Sequence, residues 1–104
     1  MAEHCVQVFL KLTSETGSAE ERECIAELTD KISDAIENAE VGEYDGDEYG
    51  EGVCRLFMYG PDADKLFEAV KELLVASVLS RDAYAIKRYG GASEGDAKEV
   101  RVDL

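Results

Sequence analysis

The sequence predicts an α+β sandwich in the order β-α-β-β-α-β-β. Three observations carry that expectation: period-two alternation over CVQVFLKL, two long segments with apolar residues at helical spacing, and glycine-punctuated turns between the remaining short apolar runs.

From Cys5 to Leu12, Val6, Val8, Leu10 and Leu12 alternate with Cys5, Gln7, Phe9 and Lys11, the pattern of a half-buried strand. TSETGS then reads as a loop, and Ser18 with Glu21 three residues later forms a capping box that opens a helix. Ile25, Leu28, Ile32, Ala35, Ile36 and Ala39 recur on one side, which predicts a helix over about 19–39. After Val41 and Gly42, the stretch EYDGDEYGEG is expected to hold a short edge strand and a turn, for which Gly46, Gly50 and Gly52 supply permissive backbone. VCRLFMYG follows as a central strand, with Cys54, Leu56 and Met58 alternating against Arg55, Phe57 and Tyr59.

Gly60-Pro61 ends that strand. Pro61 is expected at the first position of a second helix, with Asp62 and Asp64 in the first turn, where the helix dipole favours negative charge. Ala63, Leu66, Phe67, Val70, Leu73 and Leu74 mark its buried face. Arg81-Asp82 reads as a turn, AYAIKRYG as a strand, GGASEGDAK as a polar loop and EVRVDL as a last strand. Helices placed where parallel neighbours need crossovers make this a ferredoxin-like split βαβ sandwich: an antiparallel sheet, two helices on one face, and an added edge strand, all in a single domain over residues 1–104. The expected core is Val6, Val8, Leu10, Ile25, Leu28, Ile32, Leu56, Met58, Leu66, Phe67, Val70 and Leu73.

Charge narrows the function. With 24 acidic against 11 basic residues the formal charge is −13, a field that repels phosphate backbones and anionic headgroups and favours cationic partners, so neither nucleic acid nor membrane is expected. MAEHCVQVFLKL has no basic leader region or small-residue cleavage site, and the three cysteines lack C-x-x-C spacing, which together read as a cytoplasmic chain with reduced thiols.

The acidic stretch itself invites a metal reading. A calcium loop starting at Asp45 would place Asp47 and Gly50 correctly but put Tyr49 at the fifth position and Leu56 where the bidentate glutamate belongs. Loose divalent binding by Asp45, Asp47, Glu48 and Glu51 is the weaker alternative to an exposed acidic hairpin. Gly50 and Gly52 precede no helix, so they cradle no phosphate, and no cofactor is expected. His4 beside Cys5 reads as a surface residue without the orienting partner that a catalytic dyad needs. TSETGS carries no arginine of the kind that acyl-phosphate-hydrolysing ferredoxin-like domains use.

On the sheet face away from the helices, alternation places Phe9, Lys11, Arg55, Phe57 and Tyr59, with Lys87, Tyr89 and Arg101 as additions from the last strands. Ferredoxin-like RNA-binding domains stack bases on such a face, but VCRLFMYG lacks their Lys/Arg-Gly-aromatic start. Expected partner-binding residues are therefore Glu43, Asp45, Asp47, Glu48 and Glu51 on the acidic stretch and Phe9, Arg55, Phe57 and Tyr59 on the sheet. The function expected is a non-enzymatic interaction module, either binding a basic protein partner or forming a homodimer through the open face. The alternative is a small-molecule-binding or catalytic domain, marked by a deep apolar pocket between sheet and helices that holds a carboxylate of raised pKa.

GEYDGDEYGEGVCRLFMYGPDADKLFEAVKELL, with a strand ending RYG and the closing EVRVDL, resembles a group of small bacterial proteins without assigned activity. The resemblance covers most of the chain and implies fold and bacterial cytosolic origin rather than chemistry. In size and charge alone, the chain is also similar to immunity proteins that neutralise basic nuclease toxins.

Overall fold

The computed structural model describes residues 3–90 and 98–104, so the expected loop GGASEGDAK falls largely outside the described residues. Its elements are β1 (His4–Lys11), α1 (Ala19–Ala39), β2 (Glu43–Gly50), β3 (Val53–Gly60), α2 (Ala63–Ala76), a 3-10 turn (Val78–Ser80), β4 (Tyr84–Arg88) and β5 (Glu99–Asp103). The strands form one five-stranded sheet in the order β2-β3-β1-β4-β5, with every neighbouring pair antiparallel. α1 and α2 pack on each other and on the same sheet face. Among the described residues no helix is long and apolar enough to cross a membrane.

β1 is the middle strand, and its alternation sets the dry side. Val6, Val8 and Leu10 are fully buried against Ile25, Ile32 and Ile36 of α1, Leu66, Val70 and Leu74 of α2, and Leu56 and Met58 of β3, all in one continuous cluster. The expected core is buried except for Leu73, which is only partly covered because it lies toward the outer seam between the helices. Leu12, Cys54, Ala63, Leu79, Ala83 and Ala85 complete the core.

Local chemistry explains the helix ends. At α1 the Ser18 hydroxyl accepts the Glu21 N–H, while the Glu21 carboxylate accepts the Ser18 N–H at 2.8 Å and the Thr13 N–H and hydroxyl besides. The backbone N–H of Ser18 is the main reason the Glu21 carboxyl sits below its ordinary pKa, with Thr13 adding to it. α2 begins at Ala63, with Asp62 as its cap accepting the N–H groups of Asp64 and Lys65. Pro61 thus stands before the cap and not at the first helical position as expected, because the short Asp62 side chain reaches forward to the open N–H groups of the first turn and proline has no equivalent acceptor.

The acidic stretch is the expected edge strand and turn, but the strand is longer than expected. It is a full eight-residue edge strand, with only Glu51 and Gly52 left for the turn. Both turn residues have positive φ, 54° and 77°, as a two-residue type I′ connection requires. Tyr44 and Tyr49 lie five residues apart and would face opposite sides of a regular strand. A bulge between Tyr44 and Gly46 absorbs Asp45, so Tyr44 pairs with Met58, Tyr49 pairs with Cys54, and both rings reach the core side. That burial pushes the Tyr44 phenol well above its ordinary range and the Tyr49 phenol up to about 12.

At the other end of β2, the backbone of Gly42 lies so close to Tyr59 and Gly60 that a Cβ on either glycine would collide with a carbonyl oxygen of the other segment. α1 ends less comfortably: Glu40 closes it at φ 55°, a left-handed conformation that costs an L side chain about 1 kcal/mol. Glu40 also sets a negative charge beside the negative end of the helix dipole, with no basic residue in the last turn. Glu40→Gly relieves both, and we expect it to raise unfolding stability by about 1 kcal/mol in urea denaturation; a lower midpoint would show that the Glu40 side chain holds something else in place.

Candidate functional site

The sheet face opposite the helices carries a continuous set of side chains whose positions follow from register. One cross-strand row reads Glu43, Tyr59, Cys5, Arg88, Glu99; the next reads Gly46, Phe57, Gln7, Ile86, Arg101; a third reads Glu48, Arg55, Phe9, Tyr84, Asp103. Phe9, Phe57, Tyr59, Tyr84 and Ile86 are all half-buried. Lys11, Arg55, Arg88 and Arg101 share the face with Glu43, Glu48, Glu99 and Asp103, so the formal charges of the paired positions cancel while the whole chain carries −13.

Part of this face is a ladder of planar groups. The Phe9 and Tyr84 rings stack with centroids 4.7 Å apart at 12°. Arg55 lies over the Phe9 ring at 5.6 Å and Arg101 over the Tyr84 ring at 3.9 Å. Arg101 is held in turn by Asp103 at 3.0 Å. The faces of both rings are thereby occupied, which leaves edges and guanidinium groups for a partner rather than open faces for stacking nucleobases.

Beneath this layer Cys5 is fully covered although it points away from the helices, and burial raises its thiol pKa. On the core side Cys54 is pushed up to about 11, again chiefly by burial. Both thiols hold their protons at neutral pH and are poor nucleophiles.

The expected partner-binding residues divide between surfaces. Phe9, Arg55, Phe57 and Tyr59 do share the open face, and Glu43 and Glu48 join them from β2. Asp47 pairs with Leu56 and so turns to the helix side, Asp45 occupies the bulge, and Glu51 sits in the turn. The five carboxylates are not gathered into one patch, and among the described residues no group of three or more His, Cys, Asp or Glu side chains converges as for a metal ion.

β4 corrects a second expectation. Lys87 and Tyr89 do not add to the open face. Lys87 pairs with Val6, lies across the Phe67 ring at 5.4 Å, and donates to Asp64 of α2 at 2.9 Å, where the Tyr89 hydroxyl also donates. The missed members of the open face are Tyr84, Ile86 and Arg88. Their signal was masked because small Ala83 and Ala85 take the buried positions beneath α2 and the 3-10 turn, leaving bulky Ile86 outside. His4 is likewise no free surface residue: its Nδ1 accepts the Ala63 N–H at 3.0 Å, and its ring meets Tyr89 edge to face.

No family model, curated protein or solved structure matches the chain.

Two measurements check this geometry. A double-mutant cycle of Phe9→Leu and Tyr84→Leu should give a coupling of about 1 kcal/mol in denaturant unfolding, and additive losses would mean the stack contributes nothing of its own. Hydrogen bonds from Tyr89 and Lys87 hold the Asp64 carboxyl below its ordinary 3.8, and Asp64 raises Lys87 above 10.5 and Tyr89 above 10.0. Stability from Asp64 is therefore present above 3.8 and lost as pH falls through its lower folded value. That from Lys87 and Tyr89 is present below their ordinary values and lost as pH rises through the raised ones. Asp64→Asn should flatten both limbs of the melting temperature against pH; unchanged limbs would assign them elsewhere.

Proposed function

We propose that this chain is a non-enzymatic, cytoplasmic protein-interaction module of bacterial origin and that its open sheet face forms a homodimer. The supporting observation is the charge balance of that face. A second copy of a chain carrying −13 is repelled nearly everywhere, but here four basic and four acidic groups interleave around aromatic side chains, and two copies can pair guanidinium with carboxylate. Half-buried aromatic and arginine side chains are also the types that carry binding energy at interfaces.

Within the same reading the fold is a ferredoxin-like sandwich with β5 added beside β4. Its support is the run β2-β3-β1-β4 together with two crossovers, β1-α1-β2 and β3-α2-β4, each spanning one intervening strand. The catalytic or small-molecule alternative draws less support, because the carboxylates with displaced pKa values, Glu21 and Asp64, are shifted down and sit at helix starts rather than in an apolar pocket. The similarity to immunity proteins stays one of size and charge.

Light scattering on the purified chain should return twice the mass of one chain at micromolar concentration, and Phe57→Glu should return a folded single chain by the same measurement with unchanged circular dichroism. A wild-type mass of one chain would overturn the dimer.

A further inference from the structure

The layer opposite the sheet face carries a second surface of different character. The outer sides of α1 and α2 bound a groove of about 630 Å³. Its apolar lining is Leu28 and Ala35 from α1, Ala69, Leu73 and Ala76 from α2, and Val78 just beyond. Val78 is 83% exposed and Val75, close by at the end of α2, is 51% exposed; these are the large hydrophobic side chains most open to water among the described residues. The rim is Glu27 and Asp34 on one side and Glu68 and Glu72 on the other, with Lys31 as the basic member.

The spacing follows from helix geometry. On α2 the groove takes Glu68, Ala69, Glu72, Leu73 and Ala76, and on α1 it takes Glu27, Leu28, Lys31, Asp34 and Ala35, so each helix presents an acidic edge beside an apolar stripe. The α1 lining extends from Cys24 to Asn38, a length of roughly 21 Å at 1.5 Å per residue, which matches a helical segment of about four turns. Three alanines in the lining let another helix approach closely, as ridges settle into a groove between two helices. Charge selects the occupant: four carboxylates against one lysine oppose a second copy of this chain and an anionic membrane, and they favour lysine or arginine flanking an apolar stripe.

We propose that the α1–α2 groove is a docking site for a basic amphipathic helix of a partner protein. The apolar stripe of that helix would cover Leu73 and Val78, and its cationic flanks would face Glu27, Asp34, Glu68 and Glu72. The inference is independent of dimerisation, since the groove and the open sheet face lie on opposite layers.

The test is a titration of the full, isotope-labelled chain with a synthetic peptide of about 15 residues, enough for four turns. The peptide carries leucines at helical spacing and lysines elsewhere, and its counterpart carries glutamate in place of lysine. Backbone amide shifts should concentrate at Leu28, Ala35, Ala69, Leu73 and Val78 for the lysine peptide and be absent for the glutamate one. Glu72→Lys combined with Val78→Ser, both at exposed positions, should weaken binding by about tenfold. The proposal is overturned if the shifts map instead to Glu43–Gly50, if the two peptides bind alike, or if the double variant binds as the wild type does. Light scattering on the same samples reads the dimer separately, so either surface can fail without the other.

Discussion

The period-two alternation of β1 is the constraint on which the rest of the structure depends. As the middle strand it pairs with β3 on one side and β4 on the other, and each of these sets the register of an edge strand. Once Val6, Val8 and Leu10 turn toward the helices, every residue opposite them must do the same, whatever its own polarity. Leu56 and Met58 comply as good apolar residues. Lys87 complies as a lysine, and the Phe67 ring and the Asp64 carboxylate accommodate it by taking its stem and its charge separately. The bulge in β2 is the same rule enforced from the other side: two tyrosines at an odd separation are brought to the dry face by spending one extra residue.

Charge is distributed with comparable economy. The acidic excess is spread along the helix exteriors, the β2 edge and the turn, where water solvates it, while the open sheet face interleaves both signs. The two candidate surfaces therefore differ in kind. One balances its charges at the paired positions, is aromatic and is stiffened by stacked planar groups; the other is acidic at its rim, lined by aliphatic side chains and flanked by exposed Val78. A like copy suits the first and a cationic helix suits the second.

The features legible in the sequence are those encoded within a few residues. The capping box at Ser18 and Glu21 and the apolar faces of both helices depend on contacts within a turn or two, and the alternation of β1 and β3 is unambiguous because large aliphatic residues fall on one parity. β4 is different, since its candidates for burial were Ile86 or a pair of alanines, and only the tertiary crowding under α2 decides for the alanines. His4 as an acceptor for the start of α2 joins residues 59 positions apart, which no local pattern contains. The acidic stretch showed its edge strand and turn but not the strand's full length, because glycines and like charges resemble a loop, whereas the tyrosines that hold it to the core through the bulge carry that information.

β2 lies at the border of the sheet, so among the described residues its outer backbone N–H and C=O groups have no strand beside them. Such a border is a template onto which another extended chain can pair, as happens when strands join edge to edge into fibrils. Glu43, Asp45, Asp47 and Glu48 line this one, and any copy presenting the same border brings the same carboxylates to meet them. The like charges that stand along the segment thus act as a guard against self-templating.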